Sequence, residues 1–160
     1  MKKVDIAMIL LEELERKYQV LAHSALDAKE AATNEESKPE NKYDTRALEA
    51  SYLASAQSSR VEELRRAISR LSQLELVSFA SGDAIRVGAL VQLEATDTGK
   101  RWVFILPYGG GERIRFENTE ILVLTPEAPL GKALLGKRES DEFEFRVQKK
   151  LIDYEVLKVL

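Results

Sequence analysis

Leu11, Leu14, Tyr18, Leu21, Ala25, Ala28 and Ala32 follow one another in alternating steps of three and four, the spacing that lines side chains along one stripe of a helix. Ala47, Ala50, Ala54, Gln57, Val61, Leu64, Ile68 and Leu71 repeat those steps with one polar member, Gln57. Both series are heptad seams and predict two long helices. The stretch from Asn34 to Asp44 lacks the seam and holds the helix-breaking Pro39. So short a connection folds the two helices back antiparallel. At about 1.5 Å rise per residue, each arm should extend roughly 30 to 40 Å. Large seam residues stand near the base (Leu11, Leu14, Leu64, Ile68, Leu71) and alanines near the tip, so the hairpin should taper toward a polar end. A dimerising coiled coil or a pair of bundle helices fits the same periodicity.

Farther along, the apolar pattern shortens to strand lengths. Residues 89–93 and 101–106 are apolar runs separated by the turn-rich stretch 96–100, which suits a β-hairpin. Ile121 to Leu124 is a third strand candidate, and Leu130 to Gly136 reads as a short helix closed by glycine. Phe143 and Phe145 alternate with charged partners, and residues 154–159 complete an antiparallel sheet with one solvated face. Residues 4–77 contain no glycine and one proline, whereas 82–136 carry all eight glycines and the other three prolines. The fold class is therefore α+β: an N-terminal antiparallel coiled-coil hairpin over 1–78, its acidic tip near 34–45, a linker over 79–83, and a small β-sheet domain with a short helix over 84–160.

Composition removes several chemistries. With no cysteine and His23 as the sole histidine, disulfides and thiolate catalysis are excluded and a structural zinc site nearly so. Apolar residues make up 44% of the 160-residue chain, enough for a packed core, but no run approaches the roughly 18 to 20 apolar residues of a membrane span. The N-terminus runs directly into charged helix, which predicts a cytoplasmic protein without a signal peptide. A net charge of −3 disfavours independent, sequence-specific DNA binding. Gly131 to Lys137 has the glycine and lysine spacing of a P-loop, but Arg138 stands where Ser or Thr would hold Mg²⁺. Gly109 to Gly111 reads as a loop, His23 as a surface residue and Trp102 as cover for the sheet.

The string Pro129-Leu130-Gly131-Lys132-Ala133-Leu134-Leu135-Gly136-Lys137, followed by Asp141 and the closing Tyr154-Glu155-Val156, resembles the signature of bacterial GreA/GreB transcript-cleavage factors. The segment Val87 to Leu93 does so too, and the two-helix hairpin fits the same family. The resemblance implies an FKBP-like C-terminal domain and a partner, bacterial RNA polymerase, with the hairpin entering its secondary channel. It implies polymerase contact through Ala128, Pro129, Leu130 and Gly131, although alanine stands where the family has serine. A helix start and a core contact explain Pro129 and Leu130 equally well.

The resemblance further implies that tip carboxylates assist the polymerase's own Mg²⁺, a hard cation able to activate water for attack on a phosphodiester. Glu40-Asn41 matches the latter part of the family motif, but Ser37 stands where the family has aspartate. Glu36 takes that role only if Pro39 is an inserted residue, and Asp44 is a further acid. The candidate catalytic carboxylates are thus Glu36, Glu40 and Asp44. Asp44 equally suits the N-cap of the second helix, and the others a solvated turn. Lys38, Lys42 and Arg46, with Tyr43 as a stacking ring, are candidates to meet the nascent RNA 3′ end, or simply balance the acidic tip. Arg60, Arg65, Arg66 and Arg70 read as a helix face paired to Glu62 and Glu63. The free protein is expected to be a monomer that holds no cofactor and shares Mg²⁺ only within the polymerase. It would be an accessory factor, not an enzyme. A non-cleaving competitor of Gre-type factors is the alternative, and a prolyl isomerase-like domain on a dimerising coiled coil the outside one.

Overall fold

The computed structural model describes residues 2–33 and 46–160, with side chains for all of these except 31–33, 46, 47 and 50. The order is α1 (Lys3–Thr33), α2 (Arg46–Leu71), β1 (Leu90–Ala95), β2 (Gly99–Ile105), β3 (Arg113–Phe116), β4 (Thr119–Leu124), α3 (Pro129–Leu134), β5 (Glu142–Val147) and β6 (Lys150–Val159). Two compact units result, one of Met1–Leu10 with Gln73–Leu160, the other of Leu11–Ser72. The first ten residues therefore belong with the sheet, although the sequence places them in the hairpin.

In the helical unit, burial follows the seams. Leu14, Ala25 and Leu71 are buried, and Leu11, Tyr18, Leu21, Ala28, Ala54, Gln57, Val61, Leu64 and Ile68 are partly buried, while most positions between them are exposed. The Arg65 guanidinium is held above its usual value by its hydrogen bond to Glu62, by that carboxylate's charge and, last, by the charge of the Tyr18 side chain on α1 once that is ionised. The contribution of packing is uneven along the seam. Burying a leucine is worth ~1.5–3 kcal/mol, whereas an alanine methyl adds only about 0.8. The stretch with Ala25, Ala28 and Ala54 is thus the weaker part, and Gln57 lies within it.

The sheet unit is one six-stranded sheet in the order β3-β4-β2-β1-β6-β5. The expected hairpin joins β1 to β2, with Leu90 opposite Phe104 and Ala95 opposite Gly99. All pairs are antiparallel except β2 with β4, which run parallel from Trp102 beside Ile121 to Ile105 beside Leu124. The departure from an antiparallel sheet arises from β3, a four-residue strand the sequence reading did not contain. After β2 the chain crosses to the outer edge, and the β3–β4 hairpin then delivers β4 beside β2 in the same direction.

Alternation in β1 and β2 sends Val91, Leu93, Ala95, Val103 and Ile105 into one cluster, with Leu134 from α3 and Ile152, Tyr154 and Val156 from β6. Phe143 stacks on Tyr154 with ring centroids 5.4 Å apart, and Phe145 meets the same ring edge-on at 6.3 Å. Opposite register positions carry Phe104, Ile121 and Val123, also without exposure. Ile6 and Leu10, from the start of α1, are equally buried.

One side chain ties that helix start to the sheet. Lys3 Nζ donates to the carbonyls of Gly88 and Leu160, 3.0 Å each, and to that of Val77. It also lies 4.5 Å over the Phe79 ring, which Arg86 approaches at 4.9 Å. Burial, and secondarily the Arg86 charge, lower the Lys3 pKa from its usual 10.5. Residues 79–83 form an ordered turn: Asp83 N–H donates to the Ala80 carbonyl, and the Asp83 carboxylate accepts from Ala80 N–H at 2.9 Å.

Gln57 Oε1 is buried with no hydrogen-bond donor among the described residues. Leaving such an acceptor unpaired costs about 1–3 kcal/mol. Gln57→Leu should therefore stabilise the helical unit by about 1 kcal/mol, which for a chain of this size raises the thermal midpoint roughly 2–4 °C. An unchanged or lower midpoint in a calorimetric scan would show that the amide finds a partner in solution.

Candidate functional site

The tip candidates Glu36, Lys38, Glu40, Lys42, Tyr43 and Asp44 lie outside the described residues, and Arg46 opens α2 with its side chain outside them too. The other candidates, Ala128 to Gly131, are fully described. Ala128 has extended backbone (φ −61°, ψ 143°) and no side-chain cap, and Pro129 takes the first helical turn, where its missing N–H costs nothing. The Ala128 carbonyl accepts from Lys132 N–H at 2.8 Å, and the Gly131 carbonyl from Leu135 N–H at 3.1 Å. Past the helix, Gly136 N–H donates to the Ile85 carbonyl and Ile85 N–H to that of Lys137, which stitches α3 to the segment before β1.

The four residues do different work. Gly131 is buried, and a Cβ built on it would stand 2.1 Å from the Thr125 carbonyl oxygen. Gly110 approaches the same threonine from elsewhere, its Cβ position 2.7 Å from Thr125 Cγ2. Thr125 thus meets two glycines: Gly131 admits no side chain against its carbonyl, whereas one at Gly110 would press on its methyl group. Leu130 packs on the core cluster. Pro129 is exposed, with Glu127, Lys132 and Leu135 as exposed neighbours. Within the implied contact segment, Pro129 faces solvent while Gly131 and Leu130 hold the helix in place.

Other sequence candidates prove structural. The Arg138–Asp141 turn is closed by Arg138 N–H donating to the Asp141 carboxylate at 2.7 Å, and the Arg138 guanidinium reaches the Gly82 carbonyl. Lys137 lies 4.7 Å over the Phe143 ring. In the glycine loop, Gly111 N–H is already donated to Val123. His23 is exposed beside Asp27 at 4.0 Å. On α2, Arg65 binds Glu62 through Nε and Nη2 at 2.9 and 3.0 Å, and Arg66 Nε adds a bond at 3.1 Å. Hydrogen bonds from Arg65, then Arg66, lower the Glu62 pKa from 4.5 to about 2. The stabilisation from that ionised carboxylate is complete above 4.5 and is lost as pH falls toward 2.

Sequence reasoning missed Lys3 with its three carbonyls, since those partners lie 74 to 157 residues away and leave no local pattern. It also missed a groove of about 570 Å³ lined by Glu94, Glu142, Asp153, Glu155 and Tyr154. Register explains its charge, because Glu155 stands opposite both Glu94 and Glu142. Among the described residues no group of three or more His, Cys, Asp or Glu side chains is arranged to hold a metal ion, and no helix is long and apolar enough to cross a membrane.

Comparison with known proteins places this fold. Residues 80–160 match the family model described as transcription elongation factor, GreA/GreB, C-terminal. This chain belongs to the GreA/GreB family of transcription elongation factors. Similar relatives include the transcription elongation factors GreA of Maridesulfovibrio salexigens, 34% identical over 94 residues, and of Nitratidesulfovibrio vulgaris, 34% over 95. Those matches cover 58% and 57% of this chain, and the chain spans a little over half of each relative, 56% and 55%. Among solved structures, the GreA factor homolog 1 (Gfh1) of Thermus thermophilus is 22% identical over 94% of both chains with a TM-score of 0.39. GreA/GreB from Nitrosomonas europaea is 16% identical over 60% of this chain and 78% of that one, with a TM-score of 0.37.

The glycine clasp predicts a separable pair of substitutions. Gly131→Ala should cost at least about 2 kcal/mol, because its methyl overlaps the Thr125 carbonyl and the backbone must move. Pro129→Ala, at an exposed position, should cost under about 1 kcal/mol. Urea unfolding of both variants is the check, and equal midpoints would refute the clasp.

Proposed function

We propose that this protein is a Gre-type regulator that binds bacterial RNA polymerase, inserts its helical hairpin into the secondary channel and stimulates cleavage of backtracked RNA. The observation that carries the reading is the family match over residues 80–160, which hold all six strands, joined to two long helices that keep their seams. In this reading the exposed Pro129, with Ala128 beside it, touches the polymerase, while Leu130 and Gly131 hold α3 against the core. The protein has no active site of its own. It acts in the cytoplasm as a monomer, and any cleavage is the polymerase's.

Glu40 with Glu36 or Asp44 would supply hard oxygen ligands to Mg²⁺ in the polymerase active site, where the metal activates water. Lys38, Lys42, Tyr43 and Arg46 would meet the RNA 3′ end, through charge and one stacking ring. Ser37, in place of the motif's aspartate, favours a second reading. A carboxylate displaced by about 1 Å can lose on the order of 100-fold in rate. The protein would then occupy the channel and compete with cleaving factors.

Cleavage of the RNA 3′ end in a stalled, backtracked bacterial polymerase complex tests both. Adding this protein should accelerate cleavage, and Glu40→Ala should remove at least about tenfold of that acceleration. Suppression of an authentic Gre factor without acceleration would establish the competitor instead. Neither effect would end the polymerase reading.

A further inference from the structure

The β5–β6 hairpin ends in a surface that neither the fold nor the proposed function uses. Arg146 stands opposite Leu151 and Val147 opposite Lys150, and a tight turn at Gln148 (φ 55°) and Lys149 joins the strands. Side chains alternate across a strand, so each face of this end carries one cation and one aliphatic group. Both aliphatic groups are open to water, Val147 at 42% and Leu151 at 52% exposure. All three cations are exposed as well. From Phe145 to Ile152 there is no carboxylate, giving this end +3 in a protein of net −3. The nearest acids, Glu144 and Asp153, stand opposite each other, and none of the three cations forms an ion pair among the described residues. β5 is also an outer strand of the sheet, so no further strand covers this end.

Unpaired cations beside an exposed aliphatic side chain on each face fit a partner that supplies carboxylates and apolar walls on both sides of the hairpin. Nucleic acid fits less well, because residues 146–151 hold no aromatic ring to stack on a base and Phe145 packs edge-on against Tyr154. We infer that the free end of the β5–β6 hairpin is a docking element for an acidic protein cleft whose apolar walls meet its two faces. Its occupant rests on the polymerase reading above: the cleft lies on bacterial RNA polymerase, as a contact separate from the Pro129 segment. The cations act at the rim and steer the approach, while Val147 and Leu151 are covered once docked.

The test is binding of the full chain to immobilised bacterial core polymerase over a salt series. The variant Arg146→Ser/Lys149→Ser/Lys150→Ser should weaken binding about tenfold or more at low salt and flatten its salt dependence. Val147→Ser/Leu151→Ser should weaken it at every salt concentration. Circular dichroism should show both variants folded, since the altered side chains are exposed. If the wild type binds and both variants bind equally well, the docking element is wrong and the polymerase reading stands. If the wild type does not bind, the polymerase reading fails and this inference with it. Binding to a 20-nucleotide RNA or to phosphatidylglycerol vesicles that is lost in these variants, with polymerase binding unaffected, would reassign the surface to that ligand.

Discussion

A single ammonium group joins three distant parts of the chain. Lys3, in the first turn of α1, donates to carbonyls that precede β1, lead into it and follow β6. The Leu160 carbonyl is shared, because it also accepts from Leu90 N–H at 3.0 Å while Leu160 N–H donates to the Leu90 carbonyl at 2.9 Å. The tie therefore sits where the central strand β1 meets the end of β6. Backbone carbonyls withdrawn from water need donors, and one cation with three N–H groups satisfies three together. The fully buried Ile6 and Leu10 follow one and two turns later on the same helix.

The features available for function hang on this sheet. Thr125, clasped by Gly110 and Gly131, fixes where α3 lies, and α3 in turn fixes the exposed Pro129. At the outer strand, the register that stacks Phe143 on Tyr154 also sets Arg146 beside Leu151 and Val147 beside Lys150. Side chains that make contact are exposed and few, whereas those that position them are buried or are glycine. The helical unit shows a similar division, with Leu14 and Leu71 buried and the partly buried Gln57 in its alanine-rich part.

Much of the fold was legible because it rests on local periodicity. The steps of three and four marked α1 and α2, short apolar runs marked β1 and β2, and turn residues marked their hairpin. β3 escaped because Arg113-Ile114-Arg115-Phe116 is only four residues long and hides one buried side chain, Ile114, between exposed arginines. The parallel pairing of β2 with β4 depends on that hidden strand. Phe79 read as part of a linker, since nothing near it announces the two cations that lie over its ring. Within the candidate site, Pro129-Leu130-Gly131 drew attention through family resemblance, but the division between contact and packing residues needed distances. The tip carboxylates remain a reading of sequence alone.

The start of α1 is a working part of the sheet unit. Amide hydrogen exchange in Lys3→Met, which keeps an unbranched side chain of similar length and removes the charge, tests that most directly. Hydrogen bonds to a charged donor are worth ~1.5–3 kcal/mol, so with partial exposure discounted the loss should be about 2 kcal/mol. Exchange at Leu90 and Leu160 should then accelerate on the order of 10-fold or more while amides in the middle of β2 change less. Unchanged exchange at both residues would contradict the account and leave α1 joined to the sheet by its apolar side chains alone.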